Sequence, residues 1–102
     1  DYSYEDIFSK QLESRARSGD VLLSLSTSGN SINAVRAAEE ARKQGMSSLA
    51  FVGRDKGLLG KASDLCLQVP HDDFARIQEV HMLMGHILCG LVEEMVVSGK
   101  NV

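Results

Sequence analysis

Val21-Leu22-Leu23-Ser24-Leu25-Ser26 is a short, mostly apolar run that leads directly into Thr27-Ser28-Gly29-Asn30-Ser31. The run suits a buried strand. The polar residues after it suit a loop, and a helix follows from about Ile32 to Gln44. On that helix Ala34, Val35, Ala38 and Ala41 form a face of small residues that can pack closely on a sheet. Arg36 with Glu40, and Glu39 with Lys43, stand four apart and belong on its solvent side. Gly45 is a natural stop. A strand, a loop and an amphipathic helix in that order form the repeating unit of parallel sheets.

The pattern continues in both directions. Upstream, Ser3-Tyr4-Glu5-Asp6 has capping-box form with Asp in the final position, and Ile7, Phe8, Leu12 and Ala16 recur at helical spacing. Gly19-Asp20 turns the chain into the first strand. Downstream, Ser47 to Val52 reads as a second strand, Gly53-Arg54-Asp55-Lys56-Gly57 as a loop, and Leu58 to Ala62 as a short helix. Leu65 to Val69 reads as a third strand, closed by Pro70. A long helix is expected from about Asp73 to Ser98. Ile77, Val80, Met84, Ile87, Leu91 and Met95 give it one apolar stripe, and Met82, Cys89 and Val96 a second. A helix apolar on two sides is expected to be buried on two sides, the second against another subunit or a further part of the same protein. The order of elements predicts an α/β fold with a parallel sheet, helices on its faces and right-handed crossovers.

The 102 residues suit one small domain. A net charge of −3 argues against a general affinity for nucleic acid, which needs clustered Lys and Arg. A bound anion must then be held locally, by amides and hydroxyls. Cys66 and Cys89 are far apart and read as reduced core thiols of a cytosolic protein. His86, Glu93 and Glu94 interrupt the most apolar stretch, so no bilayer span is expected. No secretory signal is visible, and an opening Asp1 without an initiator methionine reads as the start of a piece of a longer protein.

Chemistry concentrates in Ser26-Thr27-Ser28-Gly29-Asn30-Ser31. In open parallel sheets, ligands bind beyond the carboxyl ends of the strands. A helix N-terminus there offers unpaired N–H groups and partial positive charge to an anion. Hydroxyls add donors that can turn toward phosphate oxygens, and Gly29 permits a sharp turn. The segment lacks the Gly-Lys-Ser/Thr ending of the P-loop and the three glycines of the dinucleotide fingerprint. The competing reading is a turn in which Asn30 or Ser31 merely caps the helix. Four hydroxyls in six residues exceed what a cap requires, which favours phosphate.

The strand–Ser-Thr-Ser-Gly-Asn-Ser–helix unit resembles the sugar isomerase (SIS) domain. The stretch Gly19 to Ser31, with Arg76-Ile77-Gln78-Glu79-Val80-His81 and His86-Ile87-Leu88, is similar to the phosphoheptose isomerases of that family. The likeness covers essentially the whole chain as the C-terminal part of a single SIS domain, residues 1–102. It implies a three-layer, flavodoxin-like sandwich around a parallel sheet. It also implies conversion of sedoheptulose 7-phosphate to D-glycero-D-manno-heptose 7-phosphate, in bacterial heptose and lipopolysaccharide synthesis, by a cytoplasmic homotetramer. Carried over by position, it gives Ser26, Thr27, Ser28, Asn30 and Ser31 the phosphate, Asp1 a place near the sugar, and Gln78 and His86 the active site, with His86 as the proton-transfer group. Some members bind zinc here, through the equivalents of Gln78 and His86 plus an upstream His and Glu. The family's partner base, a glutamate, precedes the matched segment. Ala75 stands where some members carry an acidic sugar contact, and Lys56 where relatives often have glycine. A non-catalytic SIS module is the alternative implication, sensing a sugar phosphate or binding a protein such as the bacterial replication initiator.

Helix geometry constrains these roles. Gln78 and His86 stand about 80 degrees apart and roughly 12 Å along the axis, so long side chains can still converge on one ligand. His81 is about 140 degrees from His86 and is read as a buried histidine with a satisfied hydrogen bond. His71 reads as a loop residue, as do Arg54 and Lys56. Isomerisation needs a base to move a proton between neighbouring carbons and an acid for the enediol oxygens, and histidine suits either duty.

Overall fold

The three apolar runs become parallel strands β1 (Val21–Ser26), β2 (Ser47–Val52) and β3 (Leu65–Gln68) in the computed structural model, which describes residues 4–99. They lie side by side in sequence order, with Val21 opposite Ser47, Ser26 opposite Val52, and Val52 opposite Gln68. A 3₁₀ turn, Tyr4–Asp6, leads into α1 (Ile7–Arg15). The remaining helices are α2 (Ile32–Lys43), α3 (Gly57–Ala62) and α4 (Phe74–Val97). Ser3, of the expected capping box, lies outside the described residues.

Strand parity divides the packing. Ala50 and Val52 on one face of the sheet join Ala34, Val35, Ala38, Leu59 and Ala62 in a single core, with Leu22 and Cys66 against it. The alanines of α2 carry no side-chain entropy to lose and let the helix sit close to β1 and β2. Residues of the opposite parity face α4. There Phe51 is 1% exposed and meets the His81 ring, with centroids 5.9 Å apart, whereas Val21 and Leu65 are each 67% exposed. The result is the expected three-layer α/β arrangement, with the α4 side thinly covered.

The first apolar stripe of α4, Cys89 and Arg36 depart from expectation, while the second stripe is bare within these residues, as a side meant for another partner would be. Only Ile77 and His81 of α4 are buried, while Val80, Met82, Ile87, Leu91 and Val96 are exposed. A three-stranded sheet is too narrow to cover a 24-residue helix, so the second stripe and much of the first meet nothing within these residues. For the same reason Cys89 is exposed, not a core thiol, whereas Cys66 is half-buried and its burial pushes the thiol pKa up. By length and composition α4 also passes for a bilayer span, with mean hydropathy 1.5 over its most apolar window. Its Arg and Glu residues, Arg76, Glu79, Glu93 and Glu94, cluster toward the ends, with His81 and His86 in the stretch between them.

Arg36 departs from its expected helical pair. Its guanidinium turns away from Glu40 to meet Asp6 at 2.7 Å and Glu5 at 3.0 Å, which fixes the 3₁₀ turn against α2. Glu40 instead accepts from Gln44 Nε2 at 2.9 Å.

Candidate functional site

β1 ends at Ser26, and the chain turns through residues 27–31 before α2 begins. Ser26 is buried, and its hydroxyl organises the turn. Its Oγ accepts from the Gly29 N–H at 3.1 Å and lies 2.9 Å from Ser31 Oγ and 3.5 Å from Ser28 Oγ. Ser31 occupies the N-cap position of α2, yet its hydroxyl faces Ser26 and makes no cap bond, while inside the first turn Asn33 Oδ1 accepts from Ala34 N at 2.8 Å. Nor does Asn30 act as that cap. Its carboxamide oxygen accepts from Leu58 N at 3.0 Å, at the start of α3. The N-terminal end of α2, where partial positive charge collects, is thereby bordered by hydroxyls without being closed by one.

A second loop supports the first from behind. Gly29 lies at φ +72°, and its carbonyl accepts from Leu59 N at 2.8 Å. A Cβ at Gly29 would stand 2.6 Å from the Lys56 carbonyl oxygen, and one at Gly53 only 2.4 Å from that of Thr27. Both contacts are backbone against backbone, so the loops after β1 and β2 approach as closely as glycine allows.

An open cleft of about 470 Å³ lies at this end of the sheet, lined by Leu25, Ser26, Thr27, Ser31, Gln78, His81 and Met82. The structure thus brings together Ser26, Thr27, Ser31 and Gln78. Ser28 and Asn30 do not line the cleft. Ser28 Oγ accepts from Asn30 N at 3.1 Å and Asn30 Nδ2 donates to the Ser28 carbonyl at 3.3 Å, so both side chains shape the loop. His86 is exposed and lines an adjoining groove of about 510 Å³ with Leu23, Phe51, Cys89 and Glu93. Leu25, His81 and Met82 border both spaces, which therefore run together along α4. Asp1 lies outside the described residues.

Leu25, His81 and Met82 escaped the sequence reading as lining residues. The signal was available: His81 and Met82 follow Gln78 by three and four positions, on the same side of a helix. His71 accepts from Asp73 N at 3.0 Å in the loop before α4, and Arg54 pairs with Asp72 at 2.7 Å, as loop residues should. Among the described residues no group of three or more His, Cys, Asp or Glu could hold a metal ion. Gln78 and His86 by themselves do not make a zinc site.

Because Ser26 Oγ serves Gly29, Ser28 and Ser31 together, Ser26→Ala strands several polar groups in a buried turn. It is expected to lower stability by about 1–3 kcal/mol, read as an earlier midpoint in urea unfolding.

The fold and the cleft define a parallel α/β module that presents a hydroxyl-lined helix N-terminus at the carboxyl end of its sheet. The family model of the SIS domain matches residues 1–53, and the chain belongs to the SIS domain family. Among curated relatives, it is 47% identical over 94 residues to the phosphoheptose isomerase of Sulfurimonas denitrificans, covering 92% of this chain and 48% of that protein. It is 50% identical over 93 residues to that of Helicobacter pylori strain P12, covering 91% and 48%. A solved phosphoheptose isomerase from Neisseria gonorrhoeae superposes with a TM-score of 0.86 at 42% identity, over 90% of this chain and 52% of that one. The Francisella tularensis phosphoheptose isomerase gives 0.84 at 37% identity, over 89% and 51%. The chain spans about half the length of the curated relatives it matches.

Proposed function

We propose that this chain is the C-terminal part of one SIS domain, in a phosphoheptose isomerase that converts sedoheptulose 7-phosphate to D-glycero-D-manno-heptose 7-phosphate. The observation that carries the reading is the meeting of Ser26, Thr27 and Ser31 with Gln78 in one cleft at the N-terminus of α2. Similarity to relatives named phosphoheptose isomerase supports it. In this reading the open end of α2 and the hydroxyls of Thr27 and Ser31 hold the phosphate. Ser26, Ser28 and Asn30 keep the loop in shape. The sugar extends along α4, past Gln78 and toward His86, where a proton passes between substrate and imidazole. Isomerisation moves one proton between neighbouring carbons and needs a second group, a carboxylate supplied from outside these residues. Asp1, outside the described residues, is assigned to the sugar by the family resemblance alone.

Zinc at this site would need at least two further ligands from outside the described residues, so no step is assigned to it. The exposed apolar sides of α4 and the bare face of β1 are covered by the remainder of the protein and by further copies in a homotetramer. Protein, not lipid, is the cover that suits a helix already tied to a sheet through His81. A cytoplasmic location follows from the substrate, a phosphorylated sugar.

Proton NMR of the protein with sedoheptulose 7-phosphate tests the reading. Product signals are expected, together with shifts of the amides in residues 27–32. Unchanged spectra of both ligand and protein would reduce the loop to a structural turn.

A further inference from the structure

We infer that His81 is a positioning residue for this site, holding α4 at the rotation that turns Gln78 into the cleft; the inference rests on the isomerase reading above. His81 is 2% exposed, and its Nε2 lies 2.8 Å from the Val52 carbonyl oxygen at the end of β2. Among the described residues no other hydrogen bond ties α4 to the sheet. The same carbonyl accepts from Val69 N at 3.1 Å, so it joins the ends of β2 and β3 to α4 at one atom.

The next residue extends the connection to the hydroxyl loop. A Cβ on Gly53 would stand 2.4 Å from the Thr27 carbonyl oxygen and 3.0 Å from Ile77 Cδ1. Val52-Gly53 is thus where α4 and the turn after β1 both rest on β2. Ile77, 1% exposed, and His81 pin one side of the first turns of α4. Gln78 stands three residues before His81, on the same side of the helix, and lines the same cleft. A small rotation of α4 would carry Gln78 out of the cleft and leave Ser26, Thr27 and Ser31 where they are, because these belong to β1 and its loop. A carbonyl acceptor also demands that Nε2 carry the proton.

The test separates positioning from simple support. His81→Leu fills the space and removes the donor, whereas His81→Gln returns an N–H at a similar reach. With the purified full-length protein, His81→Leu is expected to lower kcat for sedoheptulose 7-phosphate by about tenfold or more while inorganic phosphate binding, followed by NMR titration, stays within about twofold. His81→Gln is expected to recover most of kcat. Unchanged kcat in folded His81→Leu, or phosphate affinity lost in step with kcat, would overturn the role. Should His81→Leu fail to fold, His81→Gln and a long-range ¹⁵N histidine spectrum of the unsubstituted protein decide. Protonation at Nδ1 alone in that spectrum is incompatible with the bond to Val52. Absence of turnover in the unsubstituted protein sinks the isomerase reading and this role with it; normal turnover with an unaffected His81→Leu sinks this role alone.

Discussion

His86→Ala is expected to lower turnover of sedoheptulose 7-phosphate by about 10²–10⁴-fold, the usual contribution of a positioned acid or base. Phosphate binding should be nearly unchanged. The two effects separate because His86 touches none of the hydroxyl loop. It lies roughly 12 Å along α4 from Gln78, in the groove that continues the cleft past Leu25, His81 and Met82. A substrate anchored by its phosphate at α2 would bring its far end toward that imidazole. The check is kcat by product NMR beside phosphate affinity by titration. Full turnover in the variant would remove His86 from the chemistry. Equal loss of both quantities would place it in binding instead.

Gly53→Ala should damage the hydroxyl loop from a position outside it. The added methyl would stand 2.4 Å from the Thr27 carbonyl oxygen, and no rotamer change can relieve a clash between a Cβ and a backbone oxygen. Either the turn after β1 or the one after β2 must move. The expected cost is about 1–3 kcal/mol of stability, typical of overpacking, seen as a lower urea midpoint. Phosphate affinity should fall as well, since Thr27 lines the cleft. Gly85→Ala is the matched control. Nothing lies within 4 Å of its added carbon, and alanine favours helix, so its midpoint should hold or rise. Equal midpoints for the two variants would mean that the loops are not in contact.

The sheet was legible because its information is local. Each strand is an apolar run bounded by turn residues, and the observed limits of β1 and β2 coincide with those read from the sequence. That Ser26, Thr27 and Ser31 share one cleft was legible for the same reason, since they sit at a strand-to-helix junction. What the sequence hid depends on neighbours distant along the chain. Asn30 looks like a helix cap or a phosphate contact until α3 is placed beside it, where it accepts from Leu58. Arg36 has a helical partner at the right spacing in Glu40, yet two carboxylates of the 3₁₀ turn win it. The stripes of α4 announced two buried sides, but a stripe does not say what buries it. His81 was placed correctly as a satisfied core histidine, although nothing local identified Val52 as its acceptor.

The sequential order of the strands also has a consequence for the chain as it is synthesised. Each strand pairs with the next one to emerge, so β1, α2 and β2 can close their alanine-lined core before the later segments leave the ribosome. Among the described elements α4 comes last, and it lays His81 over Phe51 and against the Val52 carbonyl. Three of the seven residues that line the cleft are therefore added to a sheet that is already built. A nascent chain arrested before residue 74 would hold the hydroxyl turn but have no Gln78 beside it, which makes α4 the step at which a folded scaffold gains its cleft.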